Sequence, residues 1–314
     1  MRLPPVTTLL AGLWLAACRG ETDAGLPNPV QAISLLGDTL VAPTLGDSLR
    51  QARERQLELA HAEYERDSSA DALVWIGRRT AYLGRYREAV EIFTTGSEKF
   101  PDDARFYRHR GHRYLTLRQL DRAVLDLEHA ARLIAGRTDE VEPDGLPNAR
   151  NTPTSTLQSN IWYHLGLAYY LQGDFAQALR AYQECLAVSK NPDMLVATSN
   201  WLYLTLRRQN RMAEAERTLA PIRRDMDIIE NGSYQRLLLV YQGELPADSV
   251  LRLSPAGEPS LEDVTTAYGV GAWHLINGRG ADAARIFQAI VGARSQWAAF
   301  GYLAAEAELA RGMR

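Results

Sequence analysis

The chain has 314 residues and a formal net charge of −3, with lysine only at Lys99 and Lys190, so its basic character is nearly all arginine. That balance gives no warrant for nucleic-acid binding. No phosphate-cradling loop, zincin motif or GxSxG nucleophile elbow occurs, which leaves the sequence without a recognised catalytic motif.

Residues 1–17 carry one positive side chain, Arg2, followed by an apolar stretch from about Val6 to Ala17. The stretch is too short to span a bilayer, and its basic start and small-residue end read as a signal peptide. It closes on Leu15-Ala16-Ala17-Cys18, which resembles the lipobox of bacterial lipoproteins. The resemblance implies cleavage before Cys18, acylation of its thiol and new amino group, and firm attachment to the membrane through those chains. The plainer alternative is an ordinary signal peptide with an incidental cysteine. Arg19, where aspartate would favour the inner membrane, makes the outer membrane, facing the periplasm, the expected destination. With Cys18 acylated, Cys185 has no intramolecular partner, so the folded part must stand on packing alone.

Residues 18–47, with scattered Gly, Pro, Asp and Thr, read as a flexible tether. The folded part is then 48–314. From Ser48 to Arg66 strong helix formers and paired charges predict a helix that caps the start of the folded domain. Gly77 and Gly111 stand 34 residues apart, the tetratricopeptide period. Residues 70–103 resemble a tetratricopeptide repeat through Gly77, Gly84, Tyr86, Ala89, Phe93 and Pro101. Residues 104–134 repeat the pattern at Gly111, Tyr114, Ala123, Leu127 and Ala130. A third copy, 159–192, supplies Leu165, Gly166, Tyr169, Gly173, Ala178 and Tyr182. Small residues at these places let two helices of a hairpin approach closely, and the aromatic and leucine positions fill the gap to the neighbouring hairpin.

Weaker copies are expected at 196–229, 231–253 and 264–297, the last through Gly271, Gly278, Ala283 and Phe287. An amphipathic helix at 297–312 would close the array. The Gly-, Pro- and Asp-rich insert 135–158 separates the second and third copies and is expected to form a surface loop. The implied fold is all-α, a right-handed superhelical solenoid of helical hairpins behind a short N-terminal tether.

By resemblance to tetratricopeptide proteins, the first helix of each hairpin lines a concave groove. The positions that point into it are Arg78 and Tyr82 in the first copy and Arg105, Arg108 and His112 in the second. Asn160, Tyr163 and Tyr170 come next in the third, and Asn200 and Arg207 extend the surface. Arginine grips carboxylates through paired hydrogen bonds and tyrosine gives rigid area with a polar tip, so the groove suits an acidic or C-terminal peptide. The bland alternative is a solvated helix face in an arginine-rich chain. Trp75, Trp162 and Trp201 read as core. His109, His112 and His164 lack a carboxylate or cysteine at companion spacing, so no metal and no cofactor is expected, and Cys185 reads as a small buried hydrophobe. The expected role is a lipid-anchored scaffold for a protein or peptide partner in a bacterial envelope, not an enzyme. A glycan-binding groove, or an enzyme with its site in the insert and the weak copies, are the alternatives.

Overall fold

The computed structural model describes residues 29–253 and 258–313; the signal segment and Cys18 lie outside the described residues. A small hairpin, β1 (Val30–Ile33) and β2 (Thr39–Val41), comes first. Thirteen helices succeed it among the described residues: α1 (Asp47–Arg66), α2 (Ala70–Tyr82), α3 (Tyr86–Lys99), α4 (Ala104–Thr116), α5 (Leu120–Ile134), α6 (Leu157–Gln172) and α7 (Phe175–Val188) in the first part. The second part holds α8 (Pro192–Arg208), α9 (Met212–Leu219), α10 (Gly232–Tyr241), α11 (Leu261–Ile276), α12 (Gly280–Gly292) and α13 (Phe300–Ala310). Among the described residues no helix is long and apolar enough to cross a membrane.

The starts of the first helices are written in polar caps. Ser69, Asp103, Thr156, Asn191 and Ser260 each accept a backbone N–H of the helix they precede, satisfying donors that have no partner within the helix. Five hairpins, α2/α3, α4/α5, α6/α7, α8/α9 and α11/α12, each turn through one left-handed residue: Gly84, Arg118, Gly173, Asn210 and Gly278. Two of these are not glycine, and Arg118, at φ 62°, bears a conformational cost of about 1–2 kcal/mol that its neighbours must offset.

Within the hairpins the expected small-to-large pairs meet. Gly77 faces Phe93, Gly111 faces Leu127, Gly166 faces Tyr182 and Gly271 faces Phe287. A Cβ at Gly166 would lie 2.6 Å from the Tyr182 ring, so glycine is required there by contact alone. Ala89, Ala123, Ala178, Ala215 and Ala283 are fully buried at the matching crossing points, which is where helix axes come closest.

Three segments depart from the expected plan. Residues 30–41, expected within the tether, instead form the β-hairpin, with Ala32, Leu40 and Ala42 buried. Its Gln31 side chain accepts the N–H groups of Tyr86 (2.9 Å) and Arg87 (3.2 Å), capping α3, which has no side-chain cap of its own. Residues 231–253 give α10 and a short 3-10 turn at Ala247–Ser249 rather than a helical hairpin, since Pro246 cannot continue a helix. The fourth hairpin ends early at Leu219. The stretch after it is held by the Asp193 carboxylate, which accepts the N–H groups of Ile229, Glu230 and Asn231 at 3.0, 2.7 and 2.9 Å.

The chain also folds back on itself. Helix α11 packs on α8, and α13 packs on α6 as well as on α11 and α12. Arg118 and Glu306 form a buried ion pair at 2.8 Å, and Arg208 and Glu308 another at 2.6 Å. The hairpin and the last helix meet there: Leu35 N–H donates to Glu306 at 2.6 Å and Trp297 Nε1 donates to the Val41 carbonyl at 2.8 Å.

Candidate functional site

The first helices α2, α4, α6 and α8 do line an inner face, but the chain covers that face itself. Over α2 and α4 lies the insert. Arg78 donates to the Pro143 carbonyl at 2.8 Å, Arg79 to the Gly145 carbonyl at 2.8 Å, and Arg108 pairs with Glu142 at 2.9 Å. Tyr82 lies against Gly145, and Asn160 donates to Glu142 at 3.1 Å. Over α4 and α6 lies the start of α13: the Phe300 ring sits 5.4 Å from His112, 5.5 Å from His164 and 6.2 Å from Tyr163.

Over α6 and α8 lies α11, whose Tyr268 stacks on Trp201 at 5.5 Å and donates to the Tyr170 hydroxyl at 2.9 Å. Trp201 Nε1 in turn donates to Tyr163 at 2.7 Å. Tyr170 and Asn200 are each 1% exposed, and Asn200 accepts from Tyr241 at 3.2 Å. The residues expected along an open groove therefore fall into three settings. Arg78, Tyr82, Arg108 and His112 surround one small cavity under the insert, with Asn160 beside it on Glu142. Tyr163, Tyr170 and Asn200 belong to a buried aromatic layer. Arg105 and Arg207 stand at separate rims, the first paired with Asp103 at 2.7 Å and Asp71 at 3.0 Å, the second bonded to Tyr203 at 2.6 Å and Asn277 at 3.0 Å.

The physical reason for this arrangement is charge and apolar complementarity from distant parts of the chain. Glu142 supplies Arg108 with the carboxylate it was expected to take from a partner, and Phe300 and Tyr268 supply the apolar cover. Titration tracks the burial. Desolvation, then the neighbouring arginines, hold His109 and His112 well below the usual histidine range, and His164 is lowered by the same first cause. Burial raises Tyr163, Tyr170, Tyr182 and Tyr268 and pushes the Cys185 thiol up to about 11, which makes it a poor nucleophile. Of the three histidines considered together, His112 and His164 come within 4.3 Å, while His109 stacks on Phe93 at 5.4 Å. No group of three or more metal-binding side chains is assembled among the described residues.

An open surface lies on the other side. A furrow of about 680 Å³ runs between α5 and α7 over α6, floored by Trp162, Leu165 and Val188 and rimmed by Arg132, Arg137 and Arg180. It continues past Ile134, Arg137 and Gln158 into a second hollow of about 590 Å³ beside Arg105, Asp103 and Asp139. The furrow lies at the seam where the insert leaves α5 at Ile134 and returns at Leu157. Tyr169, on its wall, donates to Glu128 at 2.5 Å. Sequence reasoning assigned Trp162 to the core and gave the second-helix arginines no weight. The available signal was that Trp162 stands at the seam next to the insert.

The fold and this geometry define an all-α array of antiparallel helical hairpins folded back on its own inner face. Residues 159–192, which cover most of α6 and all of α7, match the tetratricopeptide repeat family model. Among solved structures the chain is similar to "YrrB: a TPR protein with an unusual peptide-binding site", with 13% identity, 76% of this chain and 93% of the other covered, and a TM-score of 0.44. It is also similar to a putative kinesin light chain of Podosopora anserina with nearly identical TPR-like repeats, with 16% identity, 72% and 94% coverage, and a TM-score of 0.41. No curated protein sequence matches the chain.

Proposed function

We propose that this chain is a lipid-anchored interaction scaffold of a bacterial envelope that docks a segment of another protein in the furrow between its second and third hairpins. The observation that carries the reading is the contrast between the two faces. The inner face is consumed by Glu142, Tyr268 and Phe300 of the same chain, whereas the furrow offers an apolar floor and an arginine rim with none of the described residues over it. Half-buried Trp162 is the kind of aromatic anchor around which binding energy concentrates. Arg132, Arg137 and Arg180 suit acidic side chains flanking an apolar residue of the partner. Attachment rests on the lipobox at Leu15 to Cys18, with the outer membrane, periplasmic side, as the destination favoured by Arg19.

The test is photo-crosslinking in solubilised envelopes with a benzophenone amino acid at position 132 or 180, both exposed in the furrow, and at exposed position 85 as the control. A protein captured from 132 and 180 but not from 85 is expected. Capture from 85 alone, or from none of the three, would refute the furrow. Anchoring is read separately: Cys18→Ser should move the protein from the membrane fraction to the soluble one.

A further inference from the structure

A second, smaller space lies apart from the furrow. A partly open cavity of about 120 Å³ lies between α2, α4 and the insert, room for several water molecules. Three guanidinium groups reach its wall, Arg78, Arg108 and Arg113, and the only carboxylate among its described lining residues is Glu142. That carboxylate is already committed, one oxygen to Arg108 at 2.9 Å and the other to Asn160 at 3.1 Å. Arg78 spends one nitrogen on a neutral carbonyl, that of Pro143.

Arg108 Nη1 meets His109 Nδ1 at 2.8 Å and Arg78 also reaches the Tyr82 hydroxyl at 3.4 Å, which leaves donors on Arg108 and Arg113. Arg108 is 7% exposed, and its buried Nε reaches no acceptor. No hydrogen bond or ion pair reaches Arg113 among the described residues; the Tyr86 ring lies 5.4 Å from its guanidinium carbon. Burial pulls Arg113 down to about 10, which still leaves it charged at neutral pH. His109 and His112, which also line the cavity, are held neutral by burial and by these arginines. Three guanidinium groups thus face a partly open cavity against two carboxylates, Glu142 and, beside Arg78, Asp144, a positive excess that an anion would complete. Guanidinium forks match tetrahedral oxyanions in both shape and charge.

We propose that this cavity binds one small tetrahedral oxyanion of the phosphate or sulfate type, with Arg113 and the Nε of Arg108 as its principal donors and Arg78 as the third. The positive excess and the several guanidinium donors select a multidentate oxyanion over chloride or a monocarboxylate. The bound ion would tie the insert to α2 and α4 by neutralising the side chains that hold Glu142 and Pro143.

The experiment is calorimetric titration of the full-length protein in detergent with inorganic phosphate, against sodium chloride and sodium acetate at matched ionic strength and pH 7.5. It is paired with thermal melting. One saturable phosphate site is expected, with Tm raised by roughly 5 °C at a hundredfold excess over Kd and no such effect from chloride or acetate. Sulfate should bind as well. Arg113→Gln should weaken phosphate at least tenfold with its circular dichroism unchanged, and Arg113→Lys should lose less, while Arg105→Gln, outside the cavity, should bind like the parent. Equal responses to phosphate and chloride in the unmodified protein would overturn the proposal, whatever the variants do. So would phosphate binding that Arg113→Gln and Arg113→Lys leave unchanged.

Discussion

Replacing Glu306 by glutamine tests how the array is closed. Glu306 is 1% exposed. Its Oε1 accepts the Leu35 N–H at 2.6 Å and Arg118 Nε at 3.1 Å, and its Oε2 accepts Arg118 Nη2 at 2.8 Å. The substitution keeps the shape and removes the charge: one acceptor oxygen becomes an NH2 donor facing the guanidinium, and Arg118 is left without a counter-charge among neutral oxygens, the Thr116 and Trp297 carbonyls at 2.6 and 2.8 Å among them. Breaking one side of a buried pair costs about 3–5 kcal/mol, because the other charge stays behind uncompensated. Arg118 also sits in the left-handed region, so losing its partner removes what holds an unfavourable backbone in place. For a domain of this size the loss corresponds to a fall in Tm of roughly 6–20 °C, read by circular dichroism. Hydrogen exchange should show the amide of Leu35 and the helix at 300–310 opening first. Replacing both partners, Arg118→Met with Glu306→Leu, should recover most of the loss, since no charge is stranded. A Glu306→Gln protein that melts within about 1 kcal/mol of the parent and keeps Leu35 protected would refute the reasoning.

The same geometry sets further outcomes. Gly166→Ala should cost about 1–3 kcal/mol through overpacking against Tyr182, measured by urea unfolding, whereas Gly136→Ala, with open space around it, should act only through its positive φ. Asp193→Ala strands three backbone N–H groups and should cost at least about 2 kcal/mol, with exchange rising at 229–231. Cys185, buried and with its thiol raised to about 11, should resist alkylation at pH 8 until the protein is unfolded. His109, His112 and His164 have folded-state pKa values below 6.5, so only the unfolded chain takes up their protons as pH falls through about 6.5. Stability should therefore be fully present above that pH and decline below it by up to about 1.4 kcal/mol per pH unit for each histidine. A flat urea midpoint between pH 7 and 5 would contradict this.

How far the sequence could be read depends on the range of the interactions. Gly77 with Phe93, Gly111 with Leu127 and Gly166 with Tyr182 are separated by a single hairpin, so their pattern is visible as a local period. The same is true of the helix at 48–66, found at Asp47–Arg66, and of the insert at 135–158, found between Ile134 and Leu157. Three features were illegible because they depend on partners far along the chain. The β-hairpin at 30–41 has strands of four and three residues and gains its place from Tyr86 and Glu306. The inward direction of Arg78, Arg108 and Tyr170 could be read from the repeat, but nothing local says that Glu142 and Tyr268 would be waiting opposite them. The furrow is lined jointly by α5, α6 and α7, an assembly no single residue type encodes. The alternative of a bare solvated face is disfavoured for Tyr163, Tyr170 and Asn200 by their burial, and holds best for Arg105, whose partners are its own surface aspartates.

If the inner face is closed by the chain itself and the open surface is the furrow, the two must differ in access to solvent. Hydroxyl-radical footprinting of the purified full-length protein, read residue by residue in a mass spectrometer, tests this most directly. Tyr163, Tyr170 and Trp201 should be protected to the level of core residues while Trp162 is modified readily. Modification of Tyr163, Tyr170 and Trp201 at rates equal to Trp162 would contradict the closed inner face and return the binding surface to the concave side.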